Sequence, residues 1–386
     1  MEAPALSPVP PPAASDHPLR DRIVIALFAL AVALPLLGAV AHRDATAVAF
    51  EKRSATAWPH LVGIIDRAEF TRAAEGAFGD RFGGRRGLIH MHHFVLAIGL
   101  DVSPVPKVLL GLDHWLYFRG EDTHAVERDF RGTFWYAPSE PTEIAHELER
   151  RRAFLAAHGI PYFVLIVPDK YTIYPEHLPR WITRAPKTRL DRLFEALAQH
   201  PELAVVDPRA ALRARKSAAP VYYRTDSHWN YEGAIVGYDL LMQRVRQTMP
   251  AVPHVPAERP SYEPGDVWTG DLAQLLGLPE RYTEDDTLPL GKILGDDSRR
   301  CARHISDPIE PVVEGCAREG LPRAIVYRDS MMDAMMPPLS ENFRRVVYFA
   351  GHSMRAQDIA REHPDLVIEE FVERAMHSLL VERLPQ

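Results

Sequence analysis

In VYYRTDSHWNYEGA, Val221 to Ala234, a carboxylate and an imidazole stand two positions apart, Asp226 and His228, with Trp229 and Asn230 directly after them. An aspartate so placed can orient the ring, share a metal with it, or cap a turn beside a solvated histidine. Far downstream, Ser330 follows the apolar stretch AIVY through Arg328 and Asp329. A serine just past a strand is either a nucleophile at the carboxyl end of an α/β sheet or the N-cap of the next helix, here MMDAMM. A hydroxyl is a weak nucleophile until a base takes its proton, and the base works best when a carboxylate fixes its tautomer. Asp226, His228 and Ser330 supply those three chemical types, so the fold must bring distant positions together.

The elements available to do so alternate. PTEIAHELERRRAFLAAHG, 141–159, has apolar residues at helical spacing and ends on glycine, and PYFVLIVPDK after it reads as a buried strand. A helix over 187–200, a strand at LAVVD ending on Asp207, and a helix from about Asn230 to Thr248 continue the rhythm. Strands follow at 324–327, 346–349 and 366–368, with a final helix over 369–384. Upstream, 47–97 reads as helical with a turn at Gly83 and Gly84, and KVLLGLDHWLYF, 107–118, as a hairpin. The segment 250–322, rich in Pro, Gly and acidic residues, reads as an irregular insertion. No internal repeat is present. Helix alternating with strand predicts an α/β fold with a mostly parallel sheet.

The chain has 386 residues, 46% hydrophobic and 25% charged, enough for one large or two modest domains. A net charge of −7 leaves no basic field to hold a phosphate backbone, which argues against a nucleic-acid partner. Residues 1–22 form a Pro-rich tail with too little apolar surface to fold. Residues 23–41, IVIALFALAVALPLLGAVA, carry no charge and match the roughly 20 residues that cross a bilayer, so they are expected to be a transmembrane anchor. A cleaved signal sequence is the alternative, given the small residues near 38–41. Either puts the remaining chain outside the cytoplasm. There the two cysteines, Cys301 and Cys316, read as one disulfide. His90, His92 and His93 lack CxxC or HExxH company, and neither a metal nor another cofactor is expected.

At TDSHWN, 225–230, the residues resemble the Asp-x-His-Trp signature of the AlgJ/AlgX-type alginate-acetylation proteins, a DHHW-type branch of the SGNH-hydrolase-like superfamily. FGDRF (78–82), GLDHWLYF (111–118), VPDKYTIYPEHLP (167–179), TGDLAQLLGLP (269–279) and YRDSMM (327–332) are similar to other segments of that family, in the same order. The resemblance spans roughly 45–375. It implies an α/β/α sandwich over 45–386 with a circularly permuted catalytic order: Ser330 as nucleophile, His228 as base and Asp226 as its orienting carboxylate. Backbone amides of Ser330 and Gly270 are the oxyanion-hole candidates, and Arg328, Trp229 and Tyr223 the substrate-binding candidates. Asp329 is expected to shape the nucleophile turn. Arg328 stands where the family's motif usually has Gly, and Met331 where Phe is common, so the turn can differ, or Arg328 can meet an anionic polymer.

What the resemblance implies is a polysaccharide O-acetyltransferase working through an acyl-enzyme. Its acetyl donor would be a membrane-bound O-acyltransferase, and its place the inner membrane with the catalytic domain in the periplasm. A carbohydrate acetyl esterase, or a silent polysaccharide-binding or scaffolding module of an export complex, are the alternatives. An anchor has a direct consequence: detergent, not salt, releases the full-length protein from membranes, because an inserted apolar helix is not screened by ions. Recovery of a protein already cleaved near Ala41 would establish the signal sequence instead.

Overall fold

The computed structural model describes residues 18–41, 56–59, 67–80, 85–120, 125–134, 136–257, 267–284, 301–304, 312–316 and 319–382. It divides into two units, 1–92 and 93–386. The first contains a 24-residue helix, Pro18–Ala41, and a second, Arg67–Asp80. The side chain of Asp80, within the FGDRF motif, accepts the Thr56 amide at 2.8 Å. Among the described residues no helix is long and apolar enough to cross a membrane. The side chains of most of Pro18–Ala41 beyond Leu30 lie outside the described residues, as does the expected turn at Gly83 and Gly84.

The second unit is built on a seven-stranded sheet. Its strands are β3 (Tyr162–Val167), β4 (Ala204–Val206), β5 (Cys301–His304), β6 (Val312–Cys316), β7 (Arg323–Arg328), β8 (Arg345–Ala350) and β9 (Leu366–Val372), in the order β4-β3-β9-β7-β8-β6-β5. Strands β4, β3, β9, β7 and β8 run parallel. Residues of each central strand alternate between two cores: Phe163, Leu165, Ala324, Val326, Val346 and Ile368 enter one, Val164, Ile166, Ile325, Tyr327, Val347 and Val367 the other. Period-two burial on both faces requires helices on both faces. Helix Tyr231–Thr248 covers the first with Ala234, Tyr238, Leu241, Met242 and Val245. Helices Glu140–Ala156 and Arg189–Leu197 cover the second with Ile144, Leu148, Leu155, Leu190, Leu193 and Leu197. The result is the three-layer α/β/α arrangement expected, with the nucleophile candidate just past β7, a central strand.

Residues 107–118 form the expected antiparallel hairpin, β1 (Val108–Leu110) and β2 (Leu116–Phe118). It packs Val108, Leu110 and Leu116 against Leu272, Ala273 and Leu276 of the short helix Asp271–Leu276.

Two expectations need correction. Residues 250–322 are not wholly irregular: β5 and β6 extend the sheet antiparallel from β8. Their register sets Cys301 opposite Cys316, although both side chains lie outside the described residues. Nor does a long helix begin at Glu369. Strand β9 runs on to Val372, followed by a 3-10 turn at Glu373–Ala375 and a short helix at Ser378–Val381.

The reason is a buried cation. Arg151 is fully buried and donates to Glu369 at 2.6 Å, Glu147 at 3.1 Å, the His352 carbonyl at 2.8 Å and the Glu382 carbonyl at 2.6 Å. Burial alone would raise the Glu369 pKa, but Arg151, His352 and the Tyr162 hydroxyl outweigh it and leave the carboxyl below the usual range. Glu369 can therefore occupy the centre of a sheet. Arg151→Met, which leaves that carboxylate without its cation, should destabilise the protein by about 3–5 kcal/mol, measured as a lower urea midpoint; an unchanged midpoint would remove Arg151 from this role.

Candidate active site

Strand β7 ends at Arg328, and the chain enters a 3-10 turn at Ser330–Ala334. Asp329 caps that turn by accepting the Met331 amide at 2.8 Å, and its other oxygen accepts the Val372 amide from the end of β9 at 2.7 Å. The turn is thus fastened to the neighbouring strand and leaves Ser330 exposed. This matches the shaping role expected of Asp329. Behind it lies Glu370, whose buried carboxyl is pushed well above the usual range by desolvation and by the Asp329 charge.

The other half of the site lies between Val221 and helix Tyr231–Thr248. Asn230 caps the helix, accepting the Gly233 amide at 3.1 Å. Just before it, Trp229 turns inward, 1% exposed, and its indole donates to the Met331 carbonyl at 2.7 Å. Gly237 makes room, since a Cβ there would lie 2.7 Å from the Trp229 ring. With the two loops joined, His228 Nε2 lies 2.7 Å from Ser330 Oγ across 102 positions of sequence. His228 Nδ1 lies 2.5 Å from Asp226 Oδ1, which also accepts the His228 amide at 2.9 Å. Asp226 Oδ2 accepts the Asp271 amide at 2.7 Å. Hydroxyl, imidazole and carboxylate form one hydrogen-bonded series, and the structure brings together the three residues that the sequence singled out.

The electrostatics suit a base. Burial resists charging of His228, but the bond to Asp226, that carboxylate's charge, and Asp271 beyond it raise the pKa above the ordinary histidine value. Burial likewise opposes ionisation of Asp226, yet His228 and the two amides hold its carboxyl low. Asp271, which sequence reasoning did not single out, has its pKa raised by burial and by Asp226, and it anchors the loop through Ser227, amide at 2.8 Å and hydroxyl at 2.6 Å. Asp226, His228 and Asp271 are close enough to offer ligand atoms to one metal ion. Their nearest atoms are committed to one another and to Ser227, so ligation would cost those bonds.

Other candidates fall elsewhere. The Gly270 amide donates to Thr225 Oγ1 at 3.0 Å and is not aimed at an oxyanion. This position needs glycine for another reason: a Cβ would come within 2.3 Å of the Thr225 carbonyl. The Ser330 amide donates to no group among the described residues, which leaves it open for that role. Trp229 and Tyr223 are buried, at 1% and 0% exposure, and cannot touch a substrate; Tyr223 packs at a tilt against Trp268, ring centroids 4.1 Å apart. Arg328 donates to Asp333 at 2.7 Å and to the Asp329 carbonyl at 3.2 Å, so this arginine braces the turn rather than reaching outward.

Residues 108–290 match the family described as "SGNH hydrolase-like domain, acetyltransferase AlgX". That span includes Asp226, His228 and Asp271 and stops before Ser330. Among curated relatives, a "Probable alginate O-acetylase AlgJ" of Pseudomonas fluorescens is 26% identical over 294 residues, 70% of this chain and 68% of the relative. Its namesake of Pseudomonas aeruginosa is 29% identical over 186 residues, 48% of this chain and 44% of the relative. Solved structures similar to this one include the O-acetyltransferase domain of Pseudomonas putida AlgJ, 22% identical with a TM-score of 0.48, covering 70% of this chain and 92% of that one. Another is Bacillus cereus PatB1, 15% identical with a TM-score of 0.47, covering 70% and 96%. The family match and the AlgJ relatives bear out the resemblance to the AlgJ/AlgX-type SGNH-hydrolase-like family.

Because His228 must be neutral to accept a proton, and its pKa is raised, Ser330 reactivity should climb with pH through a midpoint above the ordinary value of about 6.5. Asp226→Asn removes the charge that favours imidazolium and should move the midpoint down, read from the pH dependence of Ser330 modification or a histidine NMR titration. A midpoint that stays put would separate Asp226 from His228 electrostatically.

Proposed function

We propose that this protein is an O-acetyltransferase that acetylates an exported polysaccharide through an acyl-enzyme on Ser330. The observation that carries this reading is the unbroken series Ser330, His228 and Asp226, at 2.7 and 2.5 Å, beside an exposed hydroxyl. His228 takes the Ser330 proton as Oγ attacks the acetyl carbonyl, and Asp226 holds the ring in the productive tautomer and stabilises the imidazolium. The Ser330 amide is the available oxyanion donor on the nucleophile's own turn. When the donor's leaving group departs it takes the proton from His228; a sugar hydroxyl then gives its proton to the same ring and attacks the ester carbonyl, the acyl–Oγ bond breaks, and Oγ takes that proton back from His228. Names of the AlgJ relatives support a polysaccharide acceptor.

The remaining parts of the reading are an anchor formed by residues 23–41, a periplasmic catalytic domain, a disulfide between Cys301 and Cys316, and a membrane-bound O-acyltransferase that hands over the acetyl group. The uncharged run over 23–41 in the sequence supports the anchor. An acetyl esterase is the second reading, since the same acyl-enzyme can be opened by water.

A chromogenic acetate tests both. Wild-type protein should give a burst and an acetyl adduct by mass spectrometry, and Ser330→Ala should abolish them. His228→Ala should come close to the same loss, because such residues act as a unit. Asp226→Asn should cost on the order of a thousandfold or more through the wrong tautomer. Oligosaccharide that speeds turnover and emerges acetylated supports transfer; turnover by water alone, with loss of acetyl from acetylated polymer, supports the esterase. Glycan binding that survives Ser330→Ala, with no adduct in the wild type, would overturn both in favour of a silent module.

A further inference from the structure

We propose that Lys170 and Glu284 are positioning residues that grip the Arg224–Thr225 backbone from both sides, hold Asp226 against His228, and make the Lys170 charge necessary for rapid acylation of Ser330. The inference rests on the reading of Ser330 as nucleophile. Glu284 is fully buried, and its two oxygens accept the Arg224 amide at 2.9 Å, the Thr225 amide at 2.8 Å and the Thr225 hydroxyl at 2.6 Å. Lys170, 3% exposed, approaches from the other side and donates to the Arg224 carbonyl at 3.1 Å and to the Leu116 carbonyl at 2.6 Å. The Leu116 amide completes the set, donating to the same Arg224 carbonyl at 2.9 Å.

Arg224 and Thr225 belong to no sheet, so their polar groups need other partners once buried. Two charged side chains supply them. Among the described residues neither Lys170 nor Glu284 makes an ion pair within 4.0 Å. A structural ammonium would ordinarily be paired directly with a carboxylate, because an unpaired buried charge is costly. Here both charges end on the Arg224–Thr225 backbone directly before Asp226.

The charged groups facing Lys170 are Glu284, Asp226 and Asp271 on the negative side and Arg374 on the positive. The rings of Trp115 and Tyr117 lie 5.6 and 5.4 Å from its nitrogen. Lys170 therefore lies within the field of the two carboxylates around His228. Burial pulls its pKa down to about 8, with Glu284, Asp226 and Asp271 opposing the fall and Arg374 adding to it. As pH rises through that value the cation near Asp226 disappears, so the rate of acylation should fall. Combined with the rise through His228, the profile becomes a bell whose alkaline limb belongs to Lys170. Glu373, beside Asp169, is also pushed up to about 8 and titrates in the same window, so a variant must assign the limb.

The test is the burst rate of acetyl-enzyme formation on the full-length chain with a chromogenic acetate, from pH 5 to about 10. Lys170→Met, with folding checked by thermal unfolding, should lower the rate by on the order of 10- to 100-fold, leave the burst amplitude unchanged, and remove the alkaline limb. Glu284→Gln, which takes away a charge that favours Lys170 protonation, should slow the burst and shift the limb to lower pH. A folded Lys170→Met that acylates at the wild-type rate, or keeps the limb, overturns the inference. If that variant does not fold, a wild-type profile flat through pH 8, or an unmoved limb in Glu284→Gln, overturns it. Absence of any burst in the wild type overturns the reading of Ser330 and this inference with it. A wild-type burst with an indifferent Lys170→Met overturns the inference alone.

Discussion

The site depends first on one neutral hydrogen bond, from the Trp229 indole to the Met331 carbonyl. Trp229 follows His228 and Met331 follows Ser330, so a bond between the second members of two adjacent pairs fixes the distance between the first. A buried donor of this kind is costly to leave unpaired. It therefore holds the two loops in register more firmly than the His228–Ser330 contact, which lies at the solvent edge and must break and re-form in any proton transfer. The rest follows from keeping Trp229 inside: a glycine at 237 to admit its ring, and an asparagine at 230 that turns the chain into its helix at once.

Around this joint the chain buries charge where an ordinary core would bury hydrocarbon. Arg151 and Glu369 neutralise one another at the centre of the sheet. Asp329 accepts amides from its own turn and from β9. Lys170 and Glu284 close on the backbone before Asp226. Each of these groups costs desolvation that its partners must offset, and each ties together separate segments that carry the site or brace it. Hydrophobic burial is non-directional; charged hydrogen bonds have geometry. A site that must hold three side chains to within a few tenths of an ångström benefits from the second.

The helix–strand rhythm from Pro141 to Ile368 was legible because apolar periodicity reports burial locally: 162–167 is apolar on both faces, and 231–248 on one. Ser330, His228 and Asp226 were legible because their chemistry and motif order are local too. What could not be read depends on partners distant in sequence. Glu369 and Glu370 resemble the solvated start of a helix until Arg151, 218 positions earlier, is set beside the first of them. Trp229 and Tyr223 read as substrate-binding candidates because aromatic type says nothing of which way a ring faces. Gly270 suggested an open amide, whereas its missing Cβ serves close contact with Thr225. Lys170 and Glu284 lie within or near recognisable motifs, but only the fold shows that both reach the same peptide.

Exposure of Ser330 also bears on how transfer and hydrolysis would be divided. The described residues place no lid over the hydroxyl, so an acyl group on it would be open to water unless the acceptor displaced that water. Under the acyl-enzyme reading His228 would activate whichever hydroxyl arrives, because among the described residues its Nε2 is the titratable atom hydrogen-bonded to Ser330 Oγ. Discrimination between sugar and water therefore cannot come from the base; it must come from surface that binds the acceptor and raises its local concentration. Arg328, braced on Asp333, and Trp229 and Tyr223, buried, do not provide that surface. On the transferase reading, selectivity would come from groups other than these three, where a long polymer can reach and a water molecule gains nothing.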